Sequence, residues 1–353
     1  MVNMPTRNAI SKIQGTVILV VLIAAVVAGG YYYQATRPAA PVAPPVKAFR
    51  IAFIESVPAT SVWYLAHYHG ITQVAKELNS TEKPITTSFF PDVPIPDEPA
   101  LAQSLSDQGY DLIVSGSGIL SWLLENNQKY PKTQYIIVTA KFEPRDNVGS
   151  LNIGIRAGYY AAGVVSAYAS KTKTIGFVSA FNVALLAGLY NAYRLGAQSV
   201  NPDIKTLHVF ANAWADPTVG ASSVDGLLSG GADVIAATGD GMATGATIHA
   251  RDKDIYAIGY LADMSKDLPD NVLASVLWDP YSSYRLIITA ALAGGLRGTN
   301  WELQMSEGST KVILNEPLLQ KLLTPDQIKN VQDTIKGLES GDIYVPAVEV
   351  YPS

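Results

Sequence analysis

From residue 49 onward, short runs of almost uninterrupted apolar residues alternate with longer stretches whose apolar positions recur every three or four residues. The first series of runs is FRIAFIES (49–56), ITTSFF (85–90), DLIVSG (111–116) and QYIIVTA (134–140). A second series follows: TIGFVSA (174–180), IKTLHVFA (204–211), ADVIAATG (232–239), IYAIGYL (255–261) and VLASVL (272–277). Helical spacing falls over 61–78, 98–108, 157–171, 182–199, 217–229 and 241–251. Strand runs that are apolar at every position fit sheets covered on both faces, and their alternation with helices predicts parallel sheets joined by crossover helices.

The two series also resemble each other. Arg50-Ile-Ala-Phe-Ile is followed, a unit later, by Asp111-Leu-Ile-Val-Ser-Gly-Ser-Gly. Thr174-Ile-Gly-Phe-Val is followed in the same way by Asp233-Val-Ile-Ala-Ala-Thr-Gly-Asp-Gly. Such internal repetition predicts two homologous α/β, Rossmann-like lobes: 48–172 with about 278–353 as the first, and 173–277 as the second. A cleft between them should be lined by the carboxyl ends of the strands.

Residues 15–33 form an uncharged, largely apolar run preceded by Arg7 and Lys12 and closed by three tyrosines. It reads as an N-terminal membrane anchor within 1–36, with a cleaved signal peptide as the alternative; either way the basic flank places the remainder outside the cytoplasm. Residues 37–47 carry four prolines and predict an extended stalk. The first 47 residues contain four basic residues and no acid, so the rest holds 21 basic against 30 acidic side chains. That balance argues against nucleic acid as a partner. Cysteine is absent, which removes disulfides, thiolate chemistry and a lipid-bearing cysteine together.

The stretches GYYAAGVVSAYASKTKTIGFVSAF (158–181), GAQSVNPDIK (196–205), NAWADPTVGASSVDGLLSGGADVIAATGD (212–240) and IGYLADMS (258–265) resemble, in order and spacing, the Bmp family of basic membrane lipoproteins. That family includes the PnrA-like purine-nucleoside-binding proteins of ABC transporters. Weaker similarity covers SVWYLAHYHG (61–70) and the carboxyl-terminal part. The resemblance implies a type I periplasmic-binding-protein fold, capture of a small molecule between the lobes and delivery to a membrane permease, by a monomer that is not an enzyme. Where the nucleoside branch carries an aspartate and a lysine for ribose, this chain has Leu261 and Trp278; Trp63-Tyr64 is similar to a Trp-Tyr subgroup. Recognition of a purine base or nucleoside, such as adenine or adenosine, is therefore expected to centre on the base.

A purine needs aromatic plates and a few groups that read its polar edge. Trp63, Phe181, Trp214 and Trp278 all fall at strand ends or helix starts, where the cleft should be. Each could equally be core. Asp240, in Thr238-Gly239-Asp240-Gly241, could accept from a purine N–H or cap the helix that follows. Asn182, Asp263 and Glu55 complete the expected ligand-binding set. No phosphate loop, dinucleotide fingerprint or nucleophile elbow is present, His67 and His69 are spaced to diverge on a helix, and neither metal nor cofactor is expected. A sensory receptor domain is the alternative function; a nucleoside hydrolase lacks the acidic cluster it would need. Asn79-Ser80-Thr81 matches a glycosylation sequon.

Overall fold

The computed structural model describes residues 12–36 and 46–352, except 140, 141, 144 and 297. Most of the expected stalk, at 37–45, lies outside them, as do residues 1–11. Helix α1 (Lys12–Thr36) belongs to a unit of its own. Among the described residues no helix is long and apolar enough to cross a membrane.

The second unit contains two six-stranded sheets. The first is built from β1 (Phe49–Ile54), β2 (Ile85–Phe90), β3 (Leu112–Ser115), β4 (Gln134–Val138), β5 (Val148–Asn152) and β11 (Asn300–Glu302). Its order is β11-β5-β4-β3-β1-β2, all parallel. The second contains β6 (Thr174–Ser179), β7 (Lys205–Phe210), β8 (Val234–Thr238), β9 (Tyr256–Tyr260), β10 (Val272–Trp278) and β12 (Thr310–Leu314). It repeats the order as β12-β10-β9-β8-β6-β7, with β12 antiparallel on its edge. The central strands are buried on both faces, which is why they read as unbroken apolar runs.

Helices α2 (Val62–Leu78), α3 (Glu98–Asp107), α4 (Leu120–Asn126) and α9 (Tyr281–Leu292) accompany the first sheet. Helices α5 (Arg156–Ala169), α6 (Ala184–Val200), α7 (Pro217–Ser229), α8 (Gly241–Asp252), α10 (Glu316–Leu322) and α11 (Pro325–Ser340) accompany the second. Helix starts are chemically marked: Ser61 Oγ accepts from Tyr64 N–H at 3.2 Å to open α2, and Asp216 accepts from Thr218 N–H at 2.8 Å ahead of Pro217 in α7. At the other end of α2, exposed Asn79 uses its Oδ1 to accept from Ile85 N–H at 2.7 Å.

Taking each sheet with its helices as a lobe moves the expected boundaries. Helix α5 packs on α6, β10 and β12, so the chain crosses to the second lobe near residue 155 rather than 172. The reason is close packing: a Cβ on Gly163 would lie 2.0 Å from Tyr193 O, and one on Gly196 1.9 Å from Tyr160 O, so only glycine lets α5 and α6 approach this closely. After α9 and β11 the chain crosses again, and β12 and α11 return to the second lobe rather than completing the first.

Candidate functional site

The carboxyl ends of β1, β3, β4, β5, β8 and β9 converge on one cavity of about 540 Å³, contributed to by both lobes. That volume suits a small organic ligand. Of the eight expected residues, Glu55, Trp63, Trp214 and Asp240 line it. The other four do not.

Trp63, in the first turn of α2, donates its Nε1–H to Glu55 Oε2 at 3.1 Å. It also stacks on Trp278, with ring centroids 5.6 Å apart and planes 19° from parallel, and meets His67 edge-on at 4.5 Å. Trp278 is thus the backing of Trp63. At 4% exposure it is a core residue on the outer side, beside Leu261, and not an open plate. Phe181 plays a similar part in the second lobe, packing on Trp214 at 5.1 Å, while Trp214 itself is 45% exposed. Asn182 is exposed and off the cavity lining. Asp263 is turned inward to its own loop, accepting from Ser265 Oγ at 2.6 Å and pairing with Lys266 at 3.4 Å; the Ser265 hydrogen bond, chiefly, holds its carboxyl below the usual range.

Asp240 occupies the N-cap position of α8 without capping it. Its carboxylate faces the start of α2 in the other lobe, near enough for the Ser61 hydroxyl and the backbone N–H groups of Trp63 and Val62 to act on its charge. Burial raises its pKa, and these three donors oppose the rise. Glu55 is 6% exposed and is raised mainly by burial, against hydrogen bonds from Trp63 and from Ser56, whose N–H lies at 3.0 Å.

The charged lining includes residues that were not expected, among them Glu98, Arg156 and Glu302. Glu98, at the start of α3, is 1% exposed and lines the cavity; burial, and then the Glu55 charge, push its carboxyl up to about 7. Arg156, buried at the start of α5, pairs with Glu302 on β11 at 2.5 Å, and both line the wall. In sequence, an acid in the first turn of a helix reads as an ordinary partner for the helix dipole. An arginine before an alanine-rich helix carries no stronger signal.

His67 and His69 do diverge: His67 is fully enclosed, with Nδ1 against the Tyr284 hydroxyl, while His69 is exposed. Burial lowers the His67 pKa to about 3, so it is neutral and structural.

Two repeated lobes with a shared cavity at their strand ends define the type I solute-binding-protein architecture. Solved structures with this fold include a solute-binding protein of an ABC transporter system from Aeropyrum pernix K1 (TM-score 0.71, 18% identity, 84% of this chain and 94% of that one). A transcriptional activator of the comK gene from Bacillus halodurans shares it too (TM-score 0.67, 18% identity, 84% and 99%). Residues 50–342 match the family described as ABC transporter substrate-binding protein PnrA-like, and the chain belongs to that family. Its members are solute-binding proteins rather than enzymes. The chain is 31% identical over 219 residues to a purine-binding protein of Brucella abortus, covering 61% of this chain and 59% of that one. It is 34% identical over 212 residues (60% and 51%) to a Haloferax volcanii protein whose provisional name is ABC transporter glucose-binding protein. A nucleoside-binding protein of Lactococcus lactis is 28% identical over 188 residues (52% and 52%). The chain thus spans between half and three-fifths of the length of these curated relatives.

Proposed function

We propose that this protein is the extracytoplasmic receptor of an ABC importer that captures a purine base or purine nucleoside between its lobes and presents it, as a monomer, to a membrane permease. The observation that carries the reading is the lining of one 540 Å³ cavity by Trp63 and Trp214 together with buried acids at the strand ends. Flat rings stack on indoles, and carboxylates accept from amino and ring N–H groups. The Brucella and Lactococcus relatives point the same way by name.

Placement outside the cytoplasm rests on the uncharged, largely apolar run 15–33, which lies within α1 and follows Arg7 and Lys12. A carboxylate-rich wall also suits sugar hydroxyls, and the Haloferax relative gives glucose as the second reading. Native mass spectrometry of the freshly purified protein, followed by titration calorimetry with adenine, adenosine, guanosine and glucose, separates the two. A co-purifying purine with saturable binding supports the proposal, and a hexose with no purine binding overturns it.

A further inference from the structure

The two acids at the first-lobe end of the cavity are held very differently. Glu55 has its lone pairs engaged, by Trp63 Nε1–H at 3.1 Å, Ser56 N–H at 3.0 Å and the Ser56 hydroxyl at 3.4 Å. Glu98 is more deeply buried, yet among the described residues its one hydrogen bond is a long one, from the Ser115 hydroxyl at 3.4 Å. Space for both carboxylates is left by the loop after β3. A Cβ on Gly116 would come 3.4 Å from both Glu55 oxygens, and one on Gly118 would come 2.2 Å from Glu98 Oε2. A buried acid serving only the fold would be expected to have its acceptors filled, as those of Glu55 are. Glu98 faces the cavity with acceptor capacity to spare.

The charge of the wall adds a second constraint. Among the described residues Glu55, Glu98 and Asp240 line the cavity without an ion pair to a basic side chain, and the Arg156 guanidinium is already paired with Glu302. An anion entering here would meet uncompensated negative charge in a poorly hydrated space.

Building on the purine reading above, we infer that Glu98, with Glu55 beside it, is the specificity-determining end of the cavity: it accepts N–H groups from a neutral or cationic heterocycle and turns away phosphorylated ligands. Burial, and then the Glu55 charge, make ionisation of Glu98 costly, so without ligand Glu98 holds its proton up to near neutral pH. The charged groups facing Glu98 from neighbouring elements are Glu55 and, through Glu55, Asp240; both raise the cost of its negative charge. A ligand N–H brought to Glu98 lowers that cost and displaces the proton, so capture of an N–H donor is expected to tighten as pH rises from 6 to 8.

The test has two arms. Without ligand, wild type and Glu98→Gln are melted from pH 4 to 9. A carboxyl whose pKa rises from its ordinary 4.5 to about 7 on folding contributes stability that is complete below 4.5 and lost as pH rises through 7. The variant should therefore gain on wild type across that window; a constant offset at every pH overturns the protonated Glu98. In the second arm adenosine, guanosine, inosine and AMP are titrated against wild type, Glu98→Gln and Glu98→Asp at pH 6 and 8. The expected result is a loss of tenfold or more on Glu98→Gln for the nucleoside that wild type binds best, partial recovery in Glu98→Asp, and rejection of AMP by wild type. Glu98→Gln binding that nucleoside as wild type does, or wild type binding AMP as well as adenosine, overturns this inference and leaves the purine reading standing. Failure of wild type to bind any of the four overturns the purine reading and the N–H ligand with it.

Discussion

The two lobes share a strand order and differ in what they place at the strand ends. In the first, β1 ends in Glu55 and the Gly116–Gly118 loop gives room to Glu98, so that lobe supplies buried acids. In the second, β6 ends before Phe181, which props up the half-exposed Trp214, and the matching Gly239-Asp240-Gly241 loop sends its acid across to the other lobe. The same backbone therefore places buried acids on one side of the cavity and a half-exposed indole with an interlobe contact on the other. Repetition fixes where a site lies. The loop residues fix what it does.

The contrast between Trp278 and Trp214 offers the largest effect. Trp278→Ala is expected to cost about 3–5 kcal/mol of stability, because it empties a buried position behind Trp63 and His67. Trp214→Ala should instead leave the ligand-free melting temperature nearly unchanged and weaken purine binding by about 1–3 kcal/mol. Calorimetric melting and titration of both variants measure this directly. If Trp214→Ala melts as low as Trp278→Ala, the second lobe offers no open plate.

Acid should strike first at the core behind the first-lobe acids. His67 must stay neutral to remain enclosed, and burial lowers its pKa from 6.5 to about 3. Its contribution to stability is present above pH 6.5 and is lost as pH falls toward 3, up to a few kcal/mol. Urea midpoints between pH 4 and 7 should show the gap between wild type and His67→Gln narrowing as pH drops. A gap that stays constant would mean that His67 protonates without penalty.

Asp240→Ala tests the contact between the lobes. It removes the carboxylate that faces the Ser61 hydroxyl and two backbone N–H groups at the start of α2, a loss of about 1–3 kcal/mol. The ligand-free protein should then scatter with a larger radius of gyration than wild type. An unchanged radius would show that the lobes are held together elsewhere.

The smallest expected effect concerns the tail of the second lobe. Asn191 Nδ2 donates to Val348 O at 2.9 Å and Val350 O at 2.8 Å, and Tyr351 donates its hydroxyl proton to Ser179 Oγ at 2.8 Å. Asn191→Ala should cost about 0.5–1.5 kcal/mol per lost bond and speed amide hydrogen exchange over residues 348–351. Glu349 lies between the two held carbonyls and lines the cavity, so the same variant should weaken ligand binding.

Much of this was legible from residue order, and the exceptions share one cause. Apolar runs gave nine of the strands, and the recurrence of apolar positions every three or four residues gave the helices between them; β5, β11 and β12 had no such run to mark them. The repeat gave two sheets of one order. Four of the expected site residues were also legible, because position after a strand is a local property. Trp278 also follows a strand, but the packing of α2 against α9 and β10 decides that its ring is enclosed. For Asp240, the sequence offered helix cap or ligand acceptor; it does not cap α8, and it lines the cavity facing the start of α2 in the other lobe.

The sequence by itself determined an α/β chain of two repeated units with its site at the carboxyl ends of the strands, since periodicity and composition act over a few residues. Tertiary structure alone decided which polar side chains are buried together. Glu98, Arg156 and Glu302 are ordinary charged residues in their own segments, and they line one cavity because elements about 60 to 200 positions apart close around it. Burial is a property of the enclosing surface, which no single segment encodes.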